Sequence, residues 1–129
     1  MTKDILIIEP SRPLADILET SFSRKGYSAA AVHNAQDGIT AADKHMPKLI
    51  ILELVMPNHN GMEFIQEFRS YPEWLEVPVI IYSHIAPSEL DLSEGKLRGL
   101  GIIAHFYKPQ SSLEELYRAV ESAFASIDI

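Results

Sequence analysis

Short apolar runs alternate with amphipathic segments along the whole chain, and this alternation is the strongest constraint on the fold. The run Ile5–Ile8 contains no polar residue, as expected for a strand that is buried on both faces of a sheet. After it, Leu14, Leu18 and Phe22 recur four residues apart, which is the spacing of one apolar helix face. The same succession of strand and helix is repeated to the end of the chain. Such strict alternation predicts a parallel sheet with helices on both faces.

The remaining elements follow from the same two patterns. Strands are predicted at 27–32, 49–52, 77–82 and 102–106, and helices at 35–45, 62–69, 86–100 and from about 113 onward. Asn34 is predicted to cap the second helix, and Ser111 or Ser112, each three residues before a glutamate, the last one. Gly95 and Gly99 weaken the fourth helix.

Length and composition exclude several classes of protein. With 129 residues and no linker, repeat or low-complexity tract, the chain is predicted to form a single domain, 1–129. No apolar run approaches the ~20 residues of a membrane-spanning helix, and no signal-peptide pattern precedes the first strand. A formal net charge of −7 argues against direct nucleic-acid binding, and the absence of cysteine excludes disulfides and thiolate chemistry. We therefore expect a cytoplasmic domain without membrane or nucleic-acid contacts.

Polar side chains stand where four of the five predicted strands end. Glu9 follows the first strand, Glu53 the third, Ser83 the fourth and Lys108 the fifth. In open parallel sheets the functional crevice lies at the carboxyl ends of the strands, so these groups meet there if the strands adopt the usual order. Glu9 alone could equally be a solvated charge beside a helix amino terminus, where the helix dipole favours it.

This set resembles the site of the response-regulator receiver domain, the CheY-like family of two-component signalling, over essentially the whole chain. In that family the first strand ends in an acidic pair, the third in the phosphoacceptor Asp, the fourth in Thr or Ser, and the fifth in Lys-Pro. The resemblance implies a flavodoxin-like, CheY-like (βα)5 three-layer sandwich with a five-stranded parallel sheet in the order 2-1-3-4-5. It also implies a role in phosphorelay signal transduction.

The family pattern assigns a role to each strand-end residue. Glu53 falls on the phosphoacceptor position, Ser83 on the hydroxyl, and Lys108 on the lysine, while Glu9 and Pro10 fall on the acidic pair. These positions are the catalytic set that the resemblance implies for phosphoryl transfer.

The same pattern implies a metal position and a switch position. Glu9, Glu53 and the backbone carbonyl of Val55 fall on the Mg²⁺ ligands, and His105 falls on the switch aromatic at the output interface. The other four histidines, among them His84, are expected at the surface or in loops, because none is paired at i, i+4 as a helical zinc site requires.

Three departures from the family pattern affect the predicted chemistry. Pro10 removes one carboxylate, and Glu9 and Glu53 each carry theirs one methylene further out. A reacting atom displaced by ~1 Å can lose ~100-fold in rate, and Mg²⁺ tolerates little displacement of its ligands. We therefore expect no cofactor and at most weak Mg²⁺ binding.

The departures predict a pseudo-receiver: a protein-interaction module that is not an enzyme and is not efficiently phosphorylated. In it, Glu53 would accept a hydrogen bond from Ser83 and an ion pair from Lys108 without any phosphate. Expected partners are a histidine kinase, a phosphotransfer protein or a downstream effector. A homodimer would use the fourth helix, fifth strand and fifth helix.

Two other functions remain open from the sequence. One is a working receiver that is Mg²⁺-dependent and phosphorylated on Glu53 by a histidine kinase. The other is a flavodoxin-like cofactor binder, which the sequence disfavours because residues 9–13 contain two prolines and no glycine where a phosphate cradle needs free N–H groups.

Overall fold

Five strands alternate with five α-helices in the computed structural model, which describes residues 4–57 and 60–127. The strands are β1 (Ile5–Ile8), β2 (Ala29–Val32), β3 (Leu49–Leu52), β4 (Val79–Ser83) and β5 (Ile102–Tyr107). The helices are α1 (Arg12–Arg24), α2 (Ala35–Lys44), α3 (Gly61–Arg69), α4 (Glu94–Gly99) and α5 (Leu113–Ile127). Single 3₁₀ turns lie at Pro72–Trp74, Pro87–Glu89 and Lys108–Gln110.

The sheet is parallel throughout and has the strand order β2-β1-β3-β4-β5. This order confirms the flavodoxin-like, CheY-like fold that the sequence predicted. In the register, Ile8 of β1 lies beside Leu52 of β3, and Ser83 of β4 lies beside Tyr107 of β5. The residues that follow these pairs therefore leave the sheet at the same edge.

Each face of the sheet is covered by its own apolar layer. Leu6 and Ile8 of β1 belong to a cluster with α2 and α3, whereas Ile5 and Ile7 belong to a cluster with α1 and α5. Alternate side chains of a strand point to opposite faces, so a wholly apolar strand supplies both layers at once. No helix within residues 4–57 and 60–127 has the length and apolar content needed to cross a lipid bilayer.

The region between β4 and β5 differs from the prediction. The prediction of a single helix over 86–100 was wrong, because helical structure there is limited to the 3₁₀ turn and to the six residues of α4. Between them Asp91 adopts a positive φ of 51°, a left-handed conformation that interrupts a right-handed helix. Ser93 then caps a new start by accepting a hydrogen bond from the backbone N–H of Lys96 at 3.2 Å.

The caps predicted for the second and last helices are present. Asn34 accepts a hydrogen bond from the backbone N–H of Asp37 at 2.8 Å at the start of α2. Of the two candidate serines, Ser112 forms the reciprocal pair with Glu115 at the start of α5.

The outer edge of the sheet at β2 is closed by a side chain from α1. The Glu19 carboxylate accepts a hydrogen bond from the backbone N–H of Ala31 at 2.7 Å. On the other side of β2, the carbonyl of Val32 accepts from the N–H of Glu9. The strand therefore bonds β1 on one side and Glu19 on the other.

The amino ends of β4 and β5 are joined to α3 by Arg69. Its guanidinium donates hydrogen bonds to the carbonyls of Leu100, Trp74 and Val77, at 2.8, 2.6 and 2.5 Å. The next residue after Leu100 is Gly101, which has a φ of +75° and lies so close that a Cβ there would be 2.3 Å from Nη2. Desolvation by burial lowers the pKa of Arg69 below its ordinary value.

Candidate functional site

The strand register brings the four predicted strand-end residues together at the carboxyl edge of the sheet. Glu9 and Glu53 are the first residues after the paired ends of β1 and β3, and Lys108 follows the residue that pairs with Ser83. Glu9, Glu53 and Ser83 are buried, and the Lys108 side chain is 8% exposed. The prediction that these side chains meet in one crevice is therefore correct.

Lys108 links the two carboxylates. Its Nζ lies 2.5 Å from Glu9 Oε1 and 2.8 Å from Glu53 Oε1. The ammonium also lies 5.3 Å from the ring centroid of Tyr82, close enough for a cation–π contact. A single buried positive charge is thus shared between two buried acids, and the expected ion pair between Lys108 and Glu53 is present.

Glu53 is surrounded by hydrogen-bond donors. Its Oε1 accepts from Lys108 Nζ, from the backbone N–H of His84 at 3.1 Å and from the His84 ring nitrogen Nδ1 at 3.0 Å. Its Oε2 accepts from the Ser83 hydroxyl and from the backbone N–H of Val55 at 3.0 Å. Five donors occupy a group with about four lone-pair positions, so the carboxylate has no acceptor capacity left.

These contacts determine the protonation state of Glu53. Burial by itself raises the pKa of the carboxyl, but hydrogen bonds from Lys108, Ser83 and the Val55 amide outweigh burial and lower the pKa to about 2. Glu53 is consequently a carboxylate at neutral pH, and every donor around it faces a full negative charge.

Glu9 is engaged at both oxygens. Its Oε2 accepts from the backbone N–H of Ser11 at 2.9 Å, and its Oε1 accepts from Lys108. The backbone carbonyl of Glu9 lies 3.1 Å from His33 Nδ1. Pro10 follows with no side-chain ligand to offer.

These residues do not fit a Mg²⁺ site. Mg²⁺ needs several oxygen ligands in near-octahedral geometry, and both carboxylates here already bind an ammonium and backbone amides. Within residues 4–57 and 60–127, no cluster of three or more histidine or acidic side chains is arranged to hold a metal ion. The assignment of the Val55 carbonyl as a ligand stays a prediction.

His84 belongs to the site although the sequence did not single it out. Its side chain is 65% exposed, as expected for a surface histidine, yet its ring and its backbone amide both contact Glu53. A position directly after Ser83 at a strand end was the only signal in the sequence. His59, which was also expected at the surface, lies outside the described residues.

His105 is connected to Glu53 through the end of β4. Its Nε2 lies 2.7 Å from the carbonyl of Ile85, and the N–H of Ile85 donates to Ser83 Oγ at 3.0 Å. Ser83 in turn donates to Glu53. The His105 Nδ1 is buried without a hydrogen-bond partner among the described residues. The predicted switch position is therefore in hydrogen-bonded contact with the crevice, whereas its role as a switch stays a prediction.

Comparison with known proteins agrees with this architecture. Residues 5–121 match the family model described as the response regulator receiver domain. The chain therefore belongs to the response regulator receiver family, whose members act with other proteins in two-component signalling.

Solved structures share the fold at low sequence identity. A signal receiver domain of a histidine kinase from Syntrophus aciditrophicus is 22% identical, with a TM-score of 0.81 over 98% of this chain and 92% of that one. The chemotaxis protein CheY4 of Vibrio cholerae is 17% identical, with a TM-score of 0.80 over 95% and 99%. The response regulator TrrA of Thermotoga maritima, solved in complex with Mg²⁺-BeF, is 20% identical, with a TM-score of 0.77 over 95% and 99%.

Proposed function

We propose that this domain is a pseudo-receiver: a cytoplasmic protein-interaction module that is not an enzyme and is not efficiently phosphorylated on Glu53. The observation that carries the proposal is the bridge from Lys108 to both Glu9 and Glu53. In a phosphorylated receiver the lysine and the hydroxyl would hold phosphoryl oxygens. Here Lys108 and Ser83 hold the Glu53 carboxylate instead.

Phosphoryl transfer to Glu53 would have to break this arrangement. The nucleophilic oxygen would lose three donors at Oε1 or two at Oε2, and charge-assisted hydrogen bonds of this kind contribute about 1.5–3 kcal/mol each. The incoming phosphoryl group would also meet two carboxylates without a divalent cation to offset their charge. Both effects raise the barrier at the position where an active site needs to lower it.

The same contacts support a constitutive conformation. Glu53 reaches Ser83 and Lys108 as a phosphoryl group would, and Ser83 is connected through Ile85 to His105 on β5. A fixed carboxylate would keep this series of contacts in one arrangement. The domain would then present the same binding surface at all times.

The interaction surface that we propose is formed by α4, β5 and α5. Ile103 of β5 is 51% exposed and Ile127 of α5 is 38% exposed, and the two line one shallow groove with Ala119 and Ala123. A groove with small and apolar walls suits a second copy of the domain, a histidine kinase, a phosphotransfer protein or a downstream effector.

Restoring the family residues tests the proposal. The wild type and the double variant Pro10→Asp/Glu53→Asp would be treated with acetyl phosphate and Mg²⁺, and their intact masses measured. We expect the double variant to gain about 80 Da as an acyl phosphate, sensitive to hydroxylamine, and the wild type to gain none. A Mg²⁺-dependent, hydroxylamine-sensitive adduct on Glu53 of the wild type would refute the pseudo-receiver.

A working phosphoacceptor is the second candidate. It is favoured by the retained Ser83 and Lys108 and by the Mg²⁺-BeF complex of the Thermotoga maritima relative. Titration of the wild type with Mg²⁺ and beryllofluoride, followed by amide NMR, separates the two candidates. Saturable shifts at Glu53, Ser83 and Lys108 favour the working receiver, and unchanged spectra favour the pseudo-receiver.

A further inference from the structure

His84 is the exposed member of a site whose other side chains are buried. Its ring is 65% exposed, whereas the side chains of Lys108, Glu9 and Glu53 are 8%, 5% and 3% exposed. A molecule that approaches the crevice from solvent can therefore touch the imidazole without displacing any of the buried groups.

The contact with Glu53 fixes the tautomer of this imidazole. Glu53 Oε1 already accepts from the Lys108 ammonium and the His84 backbone N–H, so it is an acceptor and the ring nitrogen that lies 3.0 Å away is the donor. Nδ1 consequently carries the proton, and in the neutral ring the lone pair lies on Nε2. A carboxylate on one ring nitrogen orients the imidazole and stabilises the positive charge that develops when the other nitrogen reacts.

We propose that His84 Nε2 is a nucleophile that accepts a phosphoryl group from a phosphoramidate without a metal ion. The proposal rests on the proposed function, because the full engagement of Glu53 is what leaves His84 as the reactive group. The Nε2 lone pair forms the new N–P bond. The donor P–N bond breaks, and its electron pair stays on the nitrogen, which leaves as ammonia. The nitrogen of the zwitterionic donor already carries three hydrogens, so no proton has to be added. The proton on Nδ1 stays in place, and the phosphorylated ring pairs with the Glu53 carboxylate.

Charge limits the class of donor. Glu9 and Glu53 contribute two negative charges and Lys108 one positive charge, which leaves a formal charge of −1 beside the imidazole. This charge repels a donor with two negative charges. A phosphoramidate carries a protonated nitrogen and so approaches with less negative charge than an acyl phosphate does. The leaving group also needs no general acid, because the donor nitrogen is already protonated.

The test uses potassium phosphoramidate with EDTA at about pH 8, where ordinary imidazoles are neutral. Labelling of the folded protein is followed by intact mass and by peptide fragmentation. We expect an adduct of about 80 Da on His84 that is lost in acid and survives alkali. His45, an exposed histidine just after α2, is the internal control and should react roughly tenfold more slowly.

Two variants separate a reactive site from general imidazole chemistry. His84→Gln should abolish the fast adduct, and His45→Gln should leave it unchanged. Glu53→Gln should slow the labelling of His84 several-fold, since the amide keeps a hydrogen-bond acceptor but loses the charge. Circular dichroism of each variant establishes that the comparison concerns folded protein.

The outcomes distinguish this proposal from the one on which it rests. Labelling of His84 at the rate of His45, or equal labelling of the His84→Gln variant, would overturn the nucleophile while leaving the pseudo-receiver intact. An alkali-labile adduct that persists in His84→Gln and maps to Glu53 by peptide fragmentation would mean that both proposals fail.

Discussion

Two cations, the buried Lys108 and the half-buried Arg69, stabilise opposite edges of the sheet, and they differ in what they bind. Lys108, at the carboxyl edge, binds two carboxylates, and Arg69, at the amino edge, binds three backbone carbonyls. A carboxylate can be protonated or replaced, whereas a backbone carbonyl can be neither. The carboxyl edge is therefore the part of the sheet that responds to pH and to substitution of its partners, and the amino edge is a fixed cross-link.

The two side chains also suit their partners. An ammonium is a compact charge that can be shared between two oxygens from different strands. A guanidinium is a planar fork whose donors point in fixed directions, so it can join three carbonyls from separate segments. Exchange of the two residues would satisfy neither edge. Four predictions test this contrast, in order of decreasing effect.

Substitution of Lys108 should have the largest effect. Lys108→Met leaves two buried carboxylates without a counter-charge, and loss of one partner from a buried ion pair lowers the free energy of unfolding by about 3–5 kcal/mol. Urea denaturation at neutral pH measures the change. Lys48→Met removes a half-exposed ion pair with Asp4 at 3.8 Å and should cost less than about 1 kcal/mol. Equal losses for the two variants would contradict the role given to Lys108.

Acid should weaken only the carboxyl edge. The pKa of Glu53 is about 2 in the folded protein and near 4.5 when unfolded, so its contribution is complete above pH 4.5 and is lost as the pH falls toward 2. The difference corresponds to about 3 kcal/mol. Glu53→Gln should flatten the decline in unfolding free energy over this range, and Glu121→Gln, at an exposed position on α5, should not. An unchanged decline in Glu53→Gln would show that other acids cause it.

Loss of Arg69 should have a smaller and pH-independent effect. Arg69→Met leaves the carbonyls of Leu100, Trp74 and Val77 without their donor, and we expect a loss of about 2–3 kcal/mol. The loss should be the same near neutral pH and in mild acid, because carbonyls do not titrate. Arg118→Met removes a 79% exposed partner of Glu114 and should cost no more than about 0.5 kcal/mol. If the loss of unfolding free energy in Arg69→Met varied with pH, the proposed difference between the carboxyl edge and the amino edge would be contradicted.

The smallest effect concerns the fit around the guanidinium. Gly101→Ala forces a Cβ toward Arg69 Nη2 at a φ of +75°, so the free energy of unfolding should fall by about 1–2 kcal/mol. Gly99→Ala is the matched control, since no atom lies within 4 Å of its added Cβ, and it should be neutral or slightly stabilising. When Gly101→Ala and Arg69→Met are combined, the loss of unfolding free energy should be smaller than the sum of the two single losses, because the added Cβ clashes with the guanidinium itself. Strict additivity would mean that backbone strain alone causes the loss.

The contrast also explains what could be predicted from the sequence. Lys108, Glu9, Glu53 and Ser83 were identifiable because a charged or hydroxyl residue directly after an apolar strand is conspicuous, and because parallel strands bring their carboxyl ends to one edge. The caps at Asn34 and Ser112 followed from equally local patterns, whereas the strand order was implied by the resemblance to the receiver family.

The other features of the fold and the site depend on backbone groups and conformations that a sequence does not distinguish. Every residue has a carbonyl, so nothing distinguishes the three that Arg69 binds until the chain is folded. The positive φ of Asp91, which divides the predicted fourth helix, is one of several backbone conformations compatible with this polar segment, so the sequence did not predict it. His84 was identifiable as an exposed histidine, but its contact with Glu53 depends on a rotamer and on the longer side chain of glutamate.

The hydrogen bond from Ala31 to Glu19 has a consequence for how the protein behaves in concentrated solution. β2 is the outermost strand on its side of the sheet, and an open strand edge is a template on which other chains can add strands and aggregate. The Glu19 carboxylate accepts the hydrogen bond of the outward-facing N–H of Ala31 and places a negative charge beside it. An approaching strand would therefore lose this N–H as a pairing partner and would bury a carboxylate. One side chain of α1 thereby protects the alanine-rich strand against fibril-like growth.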